Sequence, residues 1–268
     1  MTSRSIPAGA PAQRDQIRAV LFDMDGTLAD TESLKMRAYG DVIRDLTGAD
    51  HVDPRVSELY AQFVGSTDQA LCEVIADALG LEAILQKQAA ALGVDTPWQA
   101  LHTVRMRHYL ATYGRPEKIA KHAFQHNVDL VRDQHSAGRI VAVATSSLTD
   151  EARRVLEAIG ILGLLRVVVG LDQVSHPKPD PEIYLKTAKQ LSVAPSQCLV
   201  VEDSPIGVQS AVAAGMACIA VANRFTAPGL ERQQILDQRW IAYDPAEAQP
   251  TLERRIETED RAVESQSS

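Results

Sequence analysis

Residues 19–28 read AVLFDMDGTL, and this stretch decides the fold. Its first part, Ala19–Phe22, is an apolar run that does not alternate with polar residues, which is typical of a strand buried on both faces of a parallel sheet. Two acids, Asp23 and Asp25, follow the run and precede the glycine of a turn. Because ligands of open α/β sheets lie at the carboxyl ends of the strands, the sequence predicts a functional site here.

Similar apolar runs recur in the second half of the chain and predict further strands of the same sheet. They are Ile140–Ala144, Val167–Val169, Leu199–Val201 and Cys218–Val221. Amphipathic stretches between the runs predict helices; Pro205–Ala214, for example, follows the capping residue Ser204 and ends at Gly215. The alternation of strands and helices predicts an α/β fold with a Rossmann-like open parallel sheet.

The segment between the first two predicted strands has no convincing strand of its own. Residues 31–137 contain stretches with helical periodicity, which predict an all-helical cap domain inserted into the core domain. The predicted core domain then comprises residues 17–30 and 138–245. Residues 1–16 and 246–268 are largely polar, and we expect them to form flexible tails.

The composition argues against several classes of function. The chain has 268 residues, a net charge of −8 and a sequence pI of about 5.4, so no nucleic-acid or membrane-surface partner is expected. The cysteines, Cys72, Cys198 and Cys218, are odd in number and form no CxxC pair. This argues against disulfides and a thiolate metal site, and it predicts a cytoplasmic protein with reduced thiols.

Polar side chains follow other predicted strands as well. Thr145 and Ser146 come directly after the second strand, Lys178 lies in the loop after the third, and Glu202 and Asp203 end the fourth. Each alone has a structural explanation, such as a capped turn or a solvated loop lysine. Together, in this order and each after a strand, they predict one crevice lined by carboxylates, hydroxyls and an ammonium.

These motifs resemble those of the haloacid dehalogenase superfamily, in particular its β-phosphoglucomutase-like and phosphoglycolate-phosphatase-like branch with a helical cap. Residues 23–28, DMDGTL, match the first motif of that family, Thr145 the second, Lys178 the third, and Glu202 with Asp203 the fourth. The likeness extends from about residue 18 to residue 225. It implies a phosphoric monoester hydrolase that uses Mg²⁺ and acts on a small-molecule phosphate ester.

The resemblance also implies roles for the acids. Asp23 would be a covalent nucleophile that forms an aspartyl-phosphate, and Asp25 would act first as general acid and then as general base. Mg²⁺ would be held by the carboxylates of Asp23 and Asp203 and by the backbone carbonyl of Asp25. Glu202 would act through a water molecule or behind these ligands.

The remaining motif residues are implied to bind the phosphoryl group. Thr145 and Ser146, with the backbone N–H groups of the turn that follows, would form a phosphate cradle near a helix N-terminus. Lys178 would bind the phosphoryl oxygens and offset the charge of Asp23. Asp25 is absent from the metal-independent dehalogenases of the superfamily, so its presence favours cleavage of C–O–P bonds.

The cap provides tentative substrate contacts at Lys35, Gly65 and Ser66, although Lys35 is equally compatible with a solvated helix lysine. Asp68 stands where the phosphomutases of the branch carry an arginine for a second phosphate, which disfavours a mutase. We therefore expect a phosphatase for a sugar phosphate or a phosphoglycolate-like ester. The alternatives are a phosphomutase and, less favoured, a non-catalytic binding protein on the same fold.

Overall fold

The central sheet is parallel throughout the part of the chain that the computed structural model describes, which is residues 16–63 and 67–264. Its strands are β1 (Ala19–Phe22), β2 (Ile140–Ala144), β3 (Val168–Val169), β4 (Cys198–Glu202), β5 (Ala217–Val221) and β6 (Ile241–Ala242). They lie in the order β3-β2-β1-β4-β5-β6. The predicted open α/β sheet is confirmed, whereas the short edge strand β6 was not expected.

Twelve α-helices lie within the described residues. Those between β1 and β2 are α1 (Thr31–Thr47), α2 (Arg55–Phe63), α3 (Asp68–Ala78), α4 (Glu82–Leu92), α5 (Pro97–Thr112), α6 (Pro116–Lys121) and α7 (Gln125–Ser136). Those after β2 are α8 (Thr149–Ala158), α9 (Glu182–Leu191), α10 (Pro205–Ala213), α11 (Ala227–Gln233) and α12 (Ala248–Glu264). None of them is both long and apolar enough to cross a membrane.

The helices α1 to α5 enclose an apolar cluster separate from the one around the sheet. Its largest members include Tyr39, Tyr60, Ile75, Leu85 and Leu101, all of them buried. Each of these residues belongs to a different helix, so the five helices pack against one another around a core of their own. The expected all-helical cap, inserted between the first two strands, is confirmed.

The cap ends earlier than the predicted boundary at residue 137, because α7 packs on the sheet. Its apolar residues Val128, Leu130 and Val131 are buried in the cluster formed around the strands. The Asn127 side chain donates a hydrogen bond to the Thr27 carbonyl over 2.7 Å, which fixes the start of the helix beside β1. Periodicity identifies such a helix but does not say which apolar layer will bury it.

The predicted C-terminal tail over residues 246–268 is wrong for most of its length. Residues 248–264 form α12, and Ala248, Leu252 and Ile256 lie on one stripe that is buried against the sheet. The Asp260 carboxylate accepts a hydrogen bond from the backbone N–H of Ile17 over 2.9 Å. Few apolar residues suffice to bury this helix, because they recur at every fourth position and so share one face. The tail predicted at residues 1–16 lies outside the described residues except for its last position.

Replacing Leu252 by alanine tests whether α12 is an integral part of the core domain. Leu252 is fully buried, so the Leu252→Ala variant should lose about 2–5 kcal/mol of unfolding free energy through lost burial and a residual cavity. The measurement is urea unfolding followed by circular dichroism. Glu253→Ala, at the exposed neighbouring position, should change the unfolding free energy by no more than about 0.5 kcal/mol. Equal stability of the two variants would mean that α12 does not support the core.

Candidate active site

The centre of the sheet places the polar residues side by side. β1 lies between β2 and β4, with Phe22 opposite Val143 on one side and Val201 on the other. The chain directions agree, so the residues that follow these strands emerge at one edge. The backbone N–H of Asp23 continues the ladder by donating to the Val201 carbonyl over 2.9 Å.

The Lys178 ammonium lies at the middle of this edge. It donates hydrogen bonds to Asp23 Oδ1 at 2.7 Å, to Glu202 Oε1 at 2.7 Å and to the Ala144 carbonyl at 3.1 Å. Its side chain is 3% exposed, and it also lies over the ring of Tyr184. Burial alone would lower the pKa of Lys178, but the two carboxylates raise it above its usual value. Lys178 is therefore a charged residue of the site and not a solvated loop lysine.

Glu202 holds Lys178 from behind. Its Oε1 accepts from Lys178 and from the Tyr184 hydroxyl, while its Oε2 accepts from the Ser204 hydroxyl and from the two backbone N–H groups that follow Glu202. Burial would raise the pKa of Glu202, but Lys178 and these donors lower it. A Cβ on Gly207 would lie 1.8 Å from Glu202 Oε1, so the start of α10 approaches this closely only with glycine there.

Asp203 is the third acid of the cluster and has no ammonium or guanidinium partner among the residues that the structure describes. One carboxylate oxygen from each of Asp23, Glu202 and Asp203 lies within 4.8 Å of the others. Burial and the neighbouring negative charges of Glu202 and Asp23 raise the pKa of Asp203 well above its usual value. Burial also raises the pKa of Asp23, against the opposing effect of Lys178, to about 7.

This donor set fits a hard divalent cation. Within the described residues, two of the three buried carboxylates contact the Lys178 ammonium and Asp203 contacts no cation, so the cluster carries excess negative charge when ionised. All of the donors are oxygen atoms, which hard cations prefer. Besides burial, the negative charge of neighbouring carboxylates raises the pKa values of Asp23 and Asp203. A bound cation would offset this negative charge.

Gly26 allows the first-motif turn to close over Asp203. Its φ is +85°, a left-handed conformation that side-chain-bearing residues rarely adopt. A Cβ at this position would also lie 2.3 Å from Asp203 Oδ2. The glycine after the two acids is thus required both for the turn and for the approach of the fourth motif to the first.

Asp25 is surrounded by donors from both the core and the cap. Its Oδ1 accepts from the Thr31 hydroxyl at 2.5 Å and from the Lys35 ammonium at 2.8 Å, and its Oδ2 accepts from the hydroxyls of Thr145 at 3.1 Å and Ser147 at 2.7 Å. Burial would raise the pKa of Asp25, but Lys35 and the hydroxyl donors lower it to about 2. In this arrangement Asp25 is a carboxylate that can accept a proton.

The two predicted hydroxyl residues differ in their surroundings. The Thr145 hydroxyl bonds Asp25 and accepts from the backbone N–H of Ser147, so it positions the acid. Ser146 is exposed beside them. Ser147, which donates to Asp25, was not among the predicted site residues, because the sequence does not show which hydroxyl of this turn points to the acid.

Lys35 lies in the site and is not a solvated helix lysine. Its ammonium is 2.8 Å from Asp25 Oδ1 and 3.1 Å from Glu32 Oε1, and its side chain is 22% exposed. Burial would lower the pKa of Lys35, but these carboxylates raise it well above its usual value. The other two cap residues expected to contact substrate, Gly65 and Ser66, lie outside the described residues.

The acid at the mutase arginine position has a partner of its own. Asp68 Oδ1 accepts from the Arg105 guanidinium over 3.0 Å, and the Arg105 side chain is buried over the ring of Tyr39. The negative charge of Asp68 is therefore paired within the cap. The repulsion of a second phosphate, which the sequence suggested, is weaker than for an unpaired acid.

One site residue could have been found by the rule already used. Asn223 is the first polar residue after β5, two positions beyond its end, and its side chain reaches both Asp203 and the Gly26 carbonyl. The predicted site residues of the core domain come from the ends of the first four strands, so Asn223 is not among them. Thr31 and Tyr184 carry no comparable signal, because hydroxyl side chains at helix starts and inside amphipathic helices are common.

Comparisons with known proteins agree with this geometry. Residues 20–221 match the family described as Haloacid dehalogenase-like hydrolase. The chain is 28% identical to the fructose-1-phosphate phosphatase YqaB of Escherichia coli K12 over 207 residues, which cover 77% of this chain and 97% of that protein. It is 32% identical to Protein SUPPRESSOR OF QUENCHING 1, chloroplastic, of Arabidopsis thaliana over 227 residues, which cover 82% of this chain but only 20% of that protein.

A solved structure shares the fold. The crystal structure of CbbY from Rhodobacter sphaeroides in complex with phosphate matches with a TM-score of 0.58 and 28% sequence identity, covering 78% of this chain and 88% of that one. The family match extends over most of the chain and includes all four of the strand ends described above. The chain belongs to the haloacid dehalogenase-like hydrolase family, as the motifs predicted.

Proposed function

We propose that this protein is a Mg²⁺-dependent phosphatase that hydrolyses a small-molecule phosphate monoester through an aspartyl-phosphate on Asp23. The observation that carries the proposal is the placement of Asp23 between a buried ammonium and two further buried carboxylates at a strand end. An acid in this position is a poor structural residue, because burying like charges together is costly. Its environment suits a nucleophile that works on an anionic substrate beside a cation.

Asp23 has one carboxylate oxygen available for the first step. Lys178 contacts Oδ1, and no described residue donates a hydrogen bond to Oδ2. In the first step an Asp23 oxygen bonds to phosphorus, the bond from phosphorus to the ester oxygen breaks, and the leaving oxygen takes a proton from Asp25. In the second step water attacks phosphorus, Asp25 takes a proton from that water, and Asp23 is released as a carboxylate.

Asp25 must carry a proton in the first step, yet Lys35 keeps it ionised here. The substrate would therefore draw the Lys35 ammonium away from Oδ1, and the pKa of Asp25 would rise toward the range in which it can donate a proton. The Lys35 side chain is 22% exposed, so its ammonium can be reached from the solvent side. In the second step the return of Lys35 favours the carboxylate, which is the form that accepts a proton.

Mg²⁺ would be held by the carboxylates of Asp23 and Asp203 and by the backbone carbonyl of Asp25. When bound, it screens the negative charge of the carboxylates from that of the phosphate and stabilises the charge of the transferring phosphoryl group. Lys178 provides the second positive charge of the site and remains protonated throughout, since its pKa lies above its usual value. Glu202 keeps Lys178 in place and is itself fully occupied by protein donors.

The phosphoryl group would bind at the start of α8. Ser146 is exposed there and is a predicted phosphate ligand, together with the backbone N–H groups of the turn. Thr145 lies next to it and is a predicted ligand whose hydroxyl also holds Asp25. These contacts use only the phosphoryl group, so they leave the choice of substrate to the cap.

A sugar phosphate or a phosphoglycolate-like ester is the proposed substrate class. The similarity to a fructose-1-phosphate phosphatase supports it, as does the presence of a helical cap, which suits a small soluble substrate. A phosphomutase is the alternative, favoured by the pairing of Asp68 with Arg105, which reduces the repulsion of a second phosphate. The cytoplasmic location expected from the cysteines stays a prediction.

The proposed function is tested by measuring phosphate release from sugar phosphates, phosphoglycolate and nucleotides, each with Mg²⁺ and with EDTA. We expect release from one or a few of these esters that depends on Mg²⁺. Equal release in EDTA would contradict the metal requirement. Isomerisation of a sugar monophosphate that needs a bisphosphate activator, without net phosphate release, would establish the mutase instead. No turnover of any kind would favour the non-catalytic binding protein.

Replacing Asp23 by asparagine should lower kcat by at least about 10⁴-fold, because the amide cannot form the covalent intermediate. The fold should remain, since the replacement has the same shape and removes a buried charge. The measurement is single-substrate kinetics on the ester that the wild type hydrolyses best. Asp237→Asn, which alters an exposed carboxylate, is the matched control and should retain wild-type kcat. Loss of less than tenfold in Asp23→Asn would rule out covalent catalysis by this residue.

Replacing Asp203 by asparagine should weaken the binding of Mg²⁺ but raise the stability of the metal-free protein. The metal-free variant should gain about 0.5–2 kcal/mol of unfolding free energy, because one of three mutually repelling buried carboxylates is removed. The wild type should gain stability when Mg²⁺ is added, and the variant should gain little or none. Both are measured by thermal unfolding with and without Mg²⁺. A variant that is less stable than metal-free wild type would show that the cluster is not under repulsion.

A further inference from the structure

The loop after β5 reaches the acidic cluster through Asn223. The Asn223 side-chain nitrogen donates hydrogen bonds to Asp203 Oδ2 at 2.7 Å and to the Gly26 carbonyl at 3.1 Å. It thereby connects an acid of the fourth motif with the turn of the first. A Cβ added to Gly26 would lie only 3.1 Å from the same nitrogen, so Gly26, Asp203 and Asn223 are in close contact.

The other end of the Asn223 amide is held by its own loop. Its oxygen accepts from the backbone N–H groups of Phe225 at 2.9 Å and Thr226 at 3.2 Å, and the Thr226 hydroxyl accepts from the Asn223 N–H. These contacts determine which way the amide points. The opposite orientation would place its oxygen against the Asp203 carboxylate and its NH₂ against two N–H donors, so the donor must face Asp203.

Asn223 provides the shortest hydrogen bond that Asp203 receives from a described side chain. The only other such donor is the Thr27 hydroxyl, which lies 3.3 Å from Oδ1. Asp203 is 2% exposed, so water has little access to replace a lost donor. Without Asn223, only the longer bond from Thr27 would, among the described side chains, oppose rotation of the carboxylate away from Asp23 and Glu202, which repel it.

We propose that Asn223 is a positioning residue that holds the Asp203 carboxylate in the orientation in which it binds the divalent cation. The inference builds on the proposed metal-dependent function and adds a residue that touches neither substrate nor metal. Partners that orient a ligand in this way commonly contribute 10- to 100-fold to metal affinity or activity. Asn223 would affect the cation only through Asp203. Its loss should therefore be visible in metal binding before any chemistry takes place.

The experiment must separate the bond to Asp203 from the role of Asn223 in its own turn. Asn223→Ala removes both, whereas Asn223→Ser removes the bond to Asp203 but keeps an oxygen that can accept from the turn N–H groups. Asn127→Ala is a matched control, because Asn127 also donates a buried hydrogen bond into the first-motif segment, but to the Thr27 carbonyl. It should lose stability without a change in metal affinity.

The dissociation constant for Mg²⁺ alone is obtained for each protein from the rise of its thermal unfolding midpoint with Mg²⁺ concentration. We expect the constant to rise by about 10-fold or more in both Asn223→Ala and Asn223→Ser and to stay at the wild-type value in Asn127→Ala. In kinetics on the best ester, the Mg²⁺ concentration for half-maximal rate should rise in parallel, while KM for the ester at saturating Mg²⁺ changes little.

Each outcome has one interpretation. Wild-type Mg²⁺ affinity in Asn223→Ser would overturn the positioning role and assign Asn223 to the turn alone. An equal loss of affinity in Asn127→Ala would also overturn it, since general destabilisation would then explain the effect. A wild type whose unfolding midpoint does not respond to Mg²⁺ would overturn the proposed metal dependence itself, which distinguishes that failure from failure of the inference.

Discussion

The Lys178 ammonium lies 2.7 Å from both the Asp23 and the Glu202 carboxylates, and the rest of the site is arranged around these two contacts. A buried charge without a partner costs several kcal/mol, so Asp23 can be ionised at this depth only with a cation beside it. Glu202 in turn keeps the lysine from swinging out of the site. Removal of Lys178 would leave two buried carboxylates without a cation, whereas removal of either carboxylate leaves the ammonium paired with the other.

Asp203 adds a negative charge that Lys178 does not contact, and the surrounding structure has to keep this carboxylate in place. It adds a further carboxylate to a cluster that already shares one ammonium among the described residues. The neighbouring strand β1 is completely buried, and its apolar side chains supply stabilisation that offsets the repulsion. Strain from gathered charges is typical of functional sites, where a ligand relieves it. The acidic cluster is therefore better explained by its ligand than by the stability of the fold.

Part of this arrangement could be predicted from the sequence because strand ends are easy to locate. Once β1, β2 and β4 are recognised as parallel and adjacent, Asp23, Thr145 and Asp203 must lie at one edge. The contacts of Asp25 could not be predicted in the same way. Its donors come from α1 and from the start of α8, and which hydroxyl reaches it depends on side-chain directions. That dependence explains why Ser147 was missed while Thr145 was found.

The elements placed wrongly share a different cause. Helix α7 was assigned to the cap because it lies between the first two predicted strands, and α12 to a tail because residues 246–268 are largely polar. Each nevertheless has an apolar stripe. A stripe predicts that a helix buries one face, but the identity of the covering layer depends on the path of the whole chain. In both cases the layer is the sheet, which offers a much larger apolar surface than the cap.

The loop that carries Asn223 also contacts the cap, which links the acidic cluster of Asp23, Glu202 and Asp203 to Asp25 on the other side of the site. Arg224 donates to the Ser33 hydroxyl over 2.7 Å, and the Phe225 ring packs against the ring of Tyr60. The Tyr60 hydroxyl bonds Glu32, which also pairs with Lys35. Because Lys35 belongs to α1 of the cap, the position of the cap decides whether the charge of Asp25 is paired. A shift of the cap relative to the core would therefore change the proton affinity of Asp25 while leaving Asp23 and Lys178, which belong to the core, in contact.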